Sequence, residues 1–209
     1  MEAQHRIVIP APCRGGSRPA LDIPIDSLHD GAVKISLHCF VRIAINNWAR
    51  KLVSDSVRAT FALRLFGFAR IPMLLYVRPS VMELSTERVV VRIPLRRRTR
   101  NHLGSMYFGA LSVGADCSVG ALAMHLVKQQ PENIAMIFKN FSAEFHKRAE
   151  GDVYFTCSQG HEIAHLVAQA AASGERVELA IDVIATVPEQ SDDPVATFKL
   201  TLSMKKQNY

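Results

Sequence analysis

The sequence predicts an α+β fold in which an antiparallel sheet wraps around one long apolar helix. Two observations carry this. Residues 105–128 are apolar on nearly every face, interrupted by Gly109, Gly114 and Gly120. On either side of that run the hydrophobic period is two, with Glu87-x-Val89-x-Val91-x-Ile93 before it and four alternating segments after it. A helix without a polar face must be buried or span a membrane, and period-two segments are half-buried strands.

Each element follows in order. Residues 1–45 hold Pro10, Pro12, Pro19, Pro24 and the pair Gly15-Gly16, with no sustained period, and are read as a partly disordered N-terminal extension. Residues 46–209 are read as a single domain. From 46 to 68 the residues Trp48, Leu52, Val53, Val57, Phe61, Leu65 and Phe68 recur at three- and four-residue steps, which predicts an extra, amphipathic N-terminal helix closed by Pro72 and Pro79. Residues 81–95 predict a β-hairpin. After Pro131 the strands are expected at 134–146, 152–157, 177–187 and 195–204, with a short helix at 162–172. Gly151 and Asp192-Asp193-Pro194 are expected turns.

Residues 106–127 are long enough to cross a bilayer. Asp116 would then lie near the midplane at a cost of roughly 2.5–3.5 kcal/mol, and His125 would add to it. The later strands also need a core, and this helix is the candidate to supply it, so no membrane span is expected. The balance of 48 % hydrophobic and 21 % charged residues suits a chain with a packed interior. The net charge of +6, concentrated at Arg96-Arg97-Arg98-Thr99-Arg100, suits nucleic acid, an anionic membrane face or a phosphorylated small molecule. Cys13, Cys39, Cys117 and Cys157 form no CxxC pair and the N-terminus has no signal-peptide pattern, so a cytoplasmic protein with free thiols is expected.

The segment with chemical content is Asn101-His102-Leu103-Gly104-Ser105-Met106-Tyr107-Phe108-Gly109, followed by Ala115-Asp116. A loop with Asn and Gly that opens a buried helix presents free N–H groups and the positive end of the helix dipole, which suit a developing oxyanion. Asp116 interrupts the apolar helix two turns on. A carboxylate there must be hydrogen-bonded, line a cavity, or act as base or nucleophile.

This pattern resembles the helix-start signature of the hotdog-fold acyl-CoA thioesterases, closest to the PaaI-like branch and its relatives, and the resemblance spans roughly residues 54–206. It implies hydrolysis of an acyl-CoA or acyl-carrier thioester. Asn101 and Gly104 match the loop positions of the signature. Tyr107, Phe108 and Gly109 fall where PaaI-like enzymes carry His-Gly-Gly. The resemblance therefore gives Phe108 the backbone N–H that polarises the carbonyl, Asp116 the role of nucleophile or general base, Asn101 a catalytic role, and Gly104, Tyr107 and Gly109 substrate-binding positions. Asn101 serves equally as a residue that caps the loop. The alternative is a non-catalytic hotdog module that binds an acyl ligand or a partner.

Phe108 and Asp116 are eight residues apart, about 12 Å along one helix. If both act on one carbonyl, one of them comes from a second subunit, so a homodimer or dimer of dimers is expected. No cofactor, metal or nucleic acid is expected. His161-Glu162-Ile163-Ala164-His165 matches H-E-x-x-H, the zinc-protease pattern. No histidine follows His165, however, and Gly160 and Gly174 bracket the segment as a connection between strands.

Overall fold

Helix α1 (Asp55–Ala69) starts at Ser54, whose hydroxyl accepts the Val57 N–H at 3.4 Å, and Asp55 pairs with Arg58 one turn on at 3.0 Å. The computed structural model describes residues 54–207; the expected extension at 1–45, and Trp48, Leu52 and Val53 of the expected helix, lie outside them. A short helix not expected from the sequence, α2 (Pro72–Val77), follows directly, with Pro72 at its first position, where a missing N–H costs nothing.

The hairpin has strands β1 (Ser80–Leu84) and β2 (Val89–Ile93), and Ser85 closes its turn by accepting the N–H groups of Glu87 and Arg88. Then come helix α3 (Phe108–Val127), strands β3 (Ile134–Phe145) and β4 (Val153–Cys157), helix α4 (Gly160–Ser173), and strands β5 (Val177–Val187) and β6 (Ser191–Lys206). The six strands form one antiparallel sheet in the order β1-β2-β4-β5-β6-β3.

Helix α3 packs on β2, β4 and β5. Ala115, Val119, Leu122 and Ala123 are fully buried there, against a core that includes Val91, Phe155 and Leu202. Contact is closest at Gly114, where an added Cβ would lie 2.3 Å from the Phe155 ring. Glycine at that position sets the helix-to-sheet distance.

Two expectations need correction. The turn placed at Asp192-Asp193-Pro194 is part of β6. The chain reverses at 188–190 instead, where Gln190 N–H bonds to Val187 C=O at 2.8 Å. Pro194 is tolerated in the strand because the register against β5 is broken at Thr186, and because β3 pairs with β6 only from Ala196 onward.

The second correction concerns α1. Its period is helical, but the apolar stripe Val57, Phe61, Leu65 and Phe68 faces outward. The opposite side, with Ala59, Leu63 and Phe66, packs on the core. Hydrogen bonds fix this choice. Thr60 Oγ1 accepts Val81 N–H at 2.8 Å and reaches Val81 C=O at 3.3 Å, while Arg64 bonds Pro79 C=O and Ser80 Oγ, each at 2.9 Å. Helix α1 thus covers the outer edge of β1. The other edge of the sheet, β3, pairs with β6 alone among the described strands.

Candidate active site

The loop before α3 is held by its own side chains. Asn101 Oδ1 accepts Leu103 N–H at 2.9 Å, Asn101 Nδ2 donates to Ser105 Oγ at 3.1 Å, and Asn101 N–H bonds Ser105 C=O at 2.8 Å. Gly104 turns the loop with φ +88°, a left-handed conformation open to glycine and costly for a side chain. Thr99, almost fully buried, bonds Pro94 C=O at 2.7 Å and receives Arg96 N–H at 2.9 Å, so it pins the arginine turn that leads in. Asn101 and Gly104 therefore shape the approach to the helix, and neither lines the groove described next.

Tyr107 is the extended residue that caps α3. Its N–H goes to Thr99 C=O, and its C=O receives the N–H groups of Ala110 and Leu111 at 2.9 and 3.1 Å. The N–H groups of Phe108 and Gly109 have no partner among the described residues. Two donors are thus left at the positive end of a 20-residue helix. The Tyr107 ring lies over this first turn, with its centroid 4.7 Å from that of Phe108. Gly109 makes room for it, since a Cβ there would meet the ring at 2.5 Å.

From Phe108 a groove of about 570 Å³ runs along α3, lined by Phe108, Ser112, Val113 and Asp116 on the helix, by β3, and by Leu200 of β6. Phe108, Ser112 and Asp116 follow at four-residue steps and so share one face. The β3 wall is Phe138, Phe141, Ala143 and Phe145. Phe138 joins that row because Lys139 is an extra residue in the strand: Phe138 pairs with Leu202 and Asn140 with Thr201. This β-bulge keeps Phe138 and Phe141 on the same face although they are three residues apart. Phe141 and Phe145 also pack on the buried Phe198 ring, with centroids at 5.8 and 6.1 Å.

Asp116 is the acidic residue of the groove. It makes no hydrogen bond or ion pair to any described residue, and desolvation pushes its carboxyl above the ordinary carboxylate range. Cys117 next to it faces the core, and burial together with the Asp116 charge keeps the thiol protonated. The groove can thus place an apolar chain among phenylalanine rings, offer backbone donors at one end, and present a basic carboxylate at the other.

Of the residues singled out from the sequence, the structure brings Phe108 and Asp116 to one groove. Asn101, Gly104, Tyr107 and Gly109 lie in or over the helix start. Ser112, whose hydroxyl donates to Phe108 C=O at 3.0 Å, was missed although its four-residue spacing was readable. The β3 phenylalanines were missed because the bulge breaks their alternation. His161 and His165 are exposed on α4, with His161 3.7 Å from Glu87. Among the described residues, no group of three or more His, Cys, Asp or Glu side chains is placed to hold a metal.

The chain belongs to the family described as Domain of unknown function (DUF4442), whose model matches residues 60–204. No curated protein matches it. Among solved structures it is similar to a Pseudomonas aeruginosa protein described as of unknown function and a probable thioesterase, at 24 % identity and TM-score 0.58, covering 71 % of this chain and 96 % of that one. A Chlorobaculum tepidum protein of unknown function aligns with TM-score 0.62 at 11 % identity, over 74 % of this chain and all (100 %) of the other. A Haemophilus influenzae thioesterase aligns with TM-score 0.51 at 11 % identity, over 68 % of this chain and 88 % of its own. At these identities the likeness is one of fold.

Proposed function

We propose that this protein hydrolyses an acyl-CoA or acyl-carrier thioester on a hotdog-type fold, with α3 as its central helix. One observation carries the reading: a desolvated carboxylate with no partner among the described residues, Asp116, lies in a phenylalanine-walled groove that begins at helix-start N–H groups which no described residue accepts. The thioesterases among the proteins of similar fold support it.

In the general-base form, Asp116 takes a proton from water as the water oxygen bonds to the carbonyl carbon. The carbonyl oxygen becomes an oxyanion that accepts the Phe108 N–H. Collapse breaks the C–S bond, and the thiolate leaves with the proton returned by Asp116, giving acid and thiol. In the nucleophilic form, the Asp116 carboxylate bonds to the carbonyl carbon and the C–S bond breaks to expel the thiolate; water then hydrolyses the mixed anhydride, regenerating Asp116 and releasing the acid, and a proton from that water goes to the thiolate. The surroundings favour either route, since desolvation raises both the basicity and the nucleophilicity of the carboxylate.

Assembly is part of this reading. The rise from Phe108 to Asp116 is about 12 Å, too far for one carbonyl to touch both on a single helix. The edge strand β3 carries the groove wall, and its outer backbone groups, which pair with no described strand, are suited to joining the β3 of a second copy. A two-fold dimer through β3 would bring the helix start of one subunit toward Asp116 of the other.

The test is release of free thiol from a panel of short, long and aryl acyl-CoAs. Turnover of at least one of them is expected. Saturable binding of an acyl-CoA without turnover across the panel would instead assign the groove to a non-catalytic binding module.

A further inference from the structure

Exposed apolar side chains gather on α1 and α2. Val57, Phe61, Leu65 and Phe68 form one stripe along α1, with Phe61 69 % and Phe68 73 % exposed, and Ile71, Met73 and Tyr76 extend it through α2. No described residue covers this stripe. It lies at the β1 end of the sheet, away from the groove at the β3 end.

The charge around it is one-sided. Arg98 stacks over Tyr76 at 5.4 Å and donates to Tyr76 C=O at 3.3 Å, which ties the arginine turn to α2. Residues 54–79 and 96–100 together hold eight arginines (58, 64, 70, 78, 96, 97, 98 and 100) against one acid, Asp55. The remaining described residues hold ten Lys and Arg against fourteen Asp and Glu. The apolar stripe therefore sits in a region of net charge +7, on a body whose other described residues sum to −4.

We propose that α1, α2 and the arginine turn dock on an anionic lipid surface. Phe61, Leu65, Phe68 and Met73 would enter the headgroup–acyl boundary, with the exposed arginines on lipid phosphates; Arg64 is held against β1 and takes no part. Helix α1 is apolar on both faces, one packed on the core and one turned outward, and the outward stripe together with the neighbouring exposed arginines supplies the apolar and basic groups that an anionic lipid interface takes up. Anionic headgroups supply the complementary charge, and the acidic remainder of the body is repelled from the same surface. Nucleic acid would use the arginines and leave the aliphatic stripe in water, so it fits less of what is observed.

The test is co-sedimentation of the full chain with vesicles of phosphatidylcholine alone and with vesicles containing phosphatidylglycerol. Binding to the anionic vesicles is expected to exceed binding to neutral ones at least about tenfold. Phe61→Ser with Phe68→Ser, and separately Arg97→Ser with Arg98→Ser, should each weaken it by at least about tenfold while the melting temperature is kept. Failure to bind either vesicle, or equal binding to both, overturns the proposal. So does a change in sedimentation mass in the Phe61/Phe68 variant, which would assign the stripe to a second copy. A Phe61→Cys thiol shielded from maleimide in the lipid-free full chain would assign it to residues 1–53 and also overturn the proposal. Binding to duplex DNA that equals binding to anionic vesicles and ignores Phe61 and Phe68 would point to nucleic acid instead.

Discussion

Asp116 spends its time in a groove of phenylalanine rings with no described partner, and its protonation follows from that. Burial raises its pKa above the unfolded value, so between the two pKa values the folded chain binds more protons than the unfolded one. Stability from this group is full below the ordinary carboxylate range and is lost as pH rises through the folded pKa. Asp116→Asn should remove that slope in a denaturation series and leave the fold intact. It should also lower turnover at least about a hundredfold, as loss of a positioned acid–base group does. In the wild type, kcat/KM should rise with pH along a limb above the usual carboxylate range, because the charged form acts; near-normal turnover in the variant would remove Asp116 from the mechanism. Gly114 bears on packing alone. Gly114→Ala pushes a methyl into the Phe155 ring and should destabilise by about 1–3 kcal/mol, read from chemical denaturation.

Among the elements, β3 has the most specific requirement. Lys139 is surplus to the ladder, so deleting it should restore regular pairing and leave Phe138, Phe141, Ala143 and Phe145 on the groove face, with activity within about tenfold. Deleting Ser142 shifts the end of the strand by one residue, turns Ala143 and Phe145 away, and should abolish turnover. Equal activity in the two deletions would show that the facing of Ala143 and Phe145 has no bearing on turnover. On α4, His161→Ala and His165→Ala should leave activity within a fewfold, and metal analysis should find less than one zinc per chain. One tightly held zinc, lost with activity in either variant, would contradict the thioesterase reading. The elements also show where sequence reading stops. The apolar run of α3 and the alternation of β2, β4 and β5 were legible because each buries a face whose period survives in the sequence. The orientation of α1 was not, since Ala59, Leu63 and Phe66 oppose Phe61, Leu65 and Phe68 and only Thr60 and Arg64 decide between them. Pro194 read as a turn because its tolerance depends on which neighbouring strand has already ended. In the site, Asp116 stood out as a charge on an apolar helix, while its facing wall was hidden by one inserted residue in β3.

For the whole molecule, the two ends of the sheet differ. At β1, Thr60 of α1 occupies the N–H and C=O of Val81; at β3, the outer backbone groups have no described strand beside them. In the proposed dimer two copies join at β3, and each site would be made from the Phe108 helix start of one subunit and Asp116 of the other. The most direct measurement mixes two inactive variants, Asp116→Asn and Phe108→Pro. The second removes one backbone donor at little structural cost. Phe108 is the first helical residue, where proline is favoured, its N–H has no partner among the described residues, and Tyr107 already has the extended backbone (φ −67°, ψ 137°) that precedes proline. After subunit exchange at equal concentrations, half the dimers are hybrids with one intact site in two, so activity should return to about a quarter of wild type. Mixtures as inactive as the separate variants despite exchange, or a wild-type protein fully active as a monomer at micromolar concentration, would contradict it.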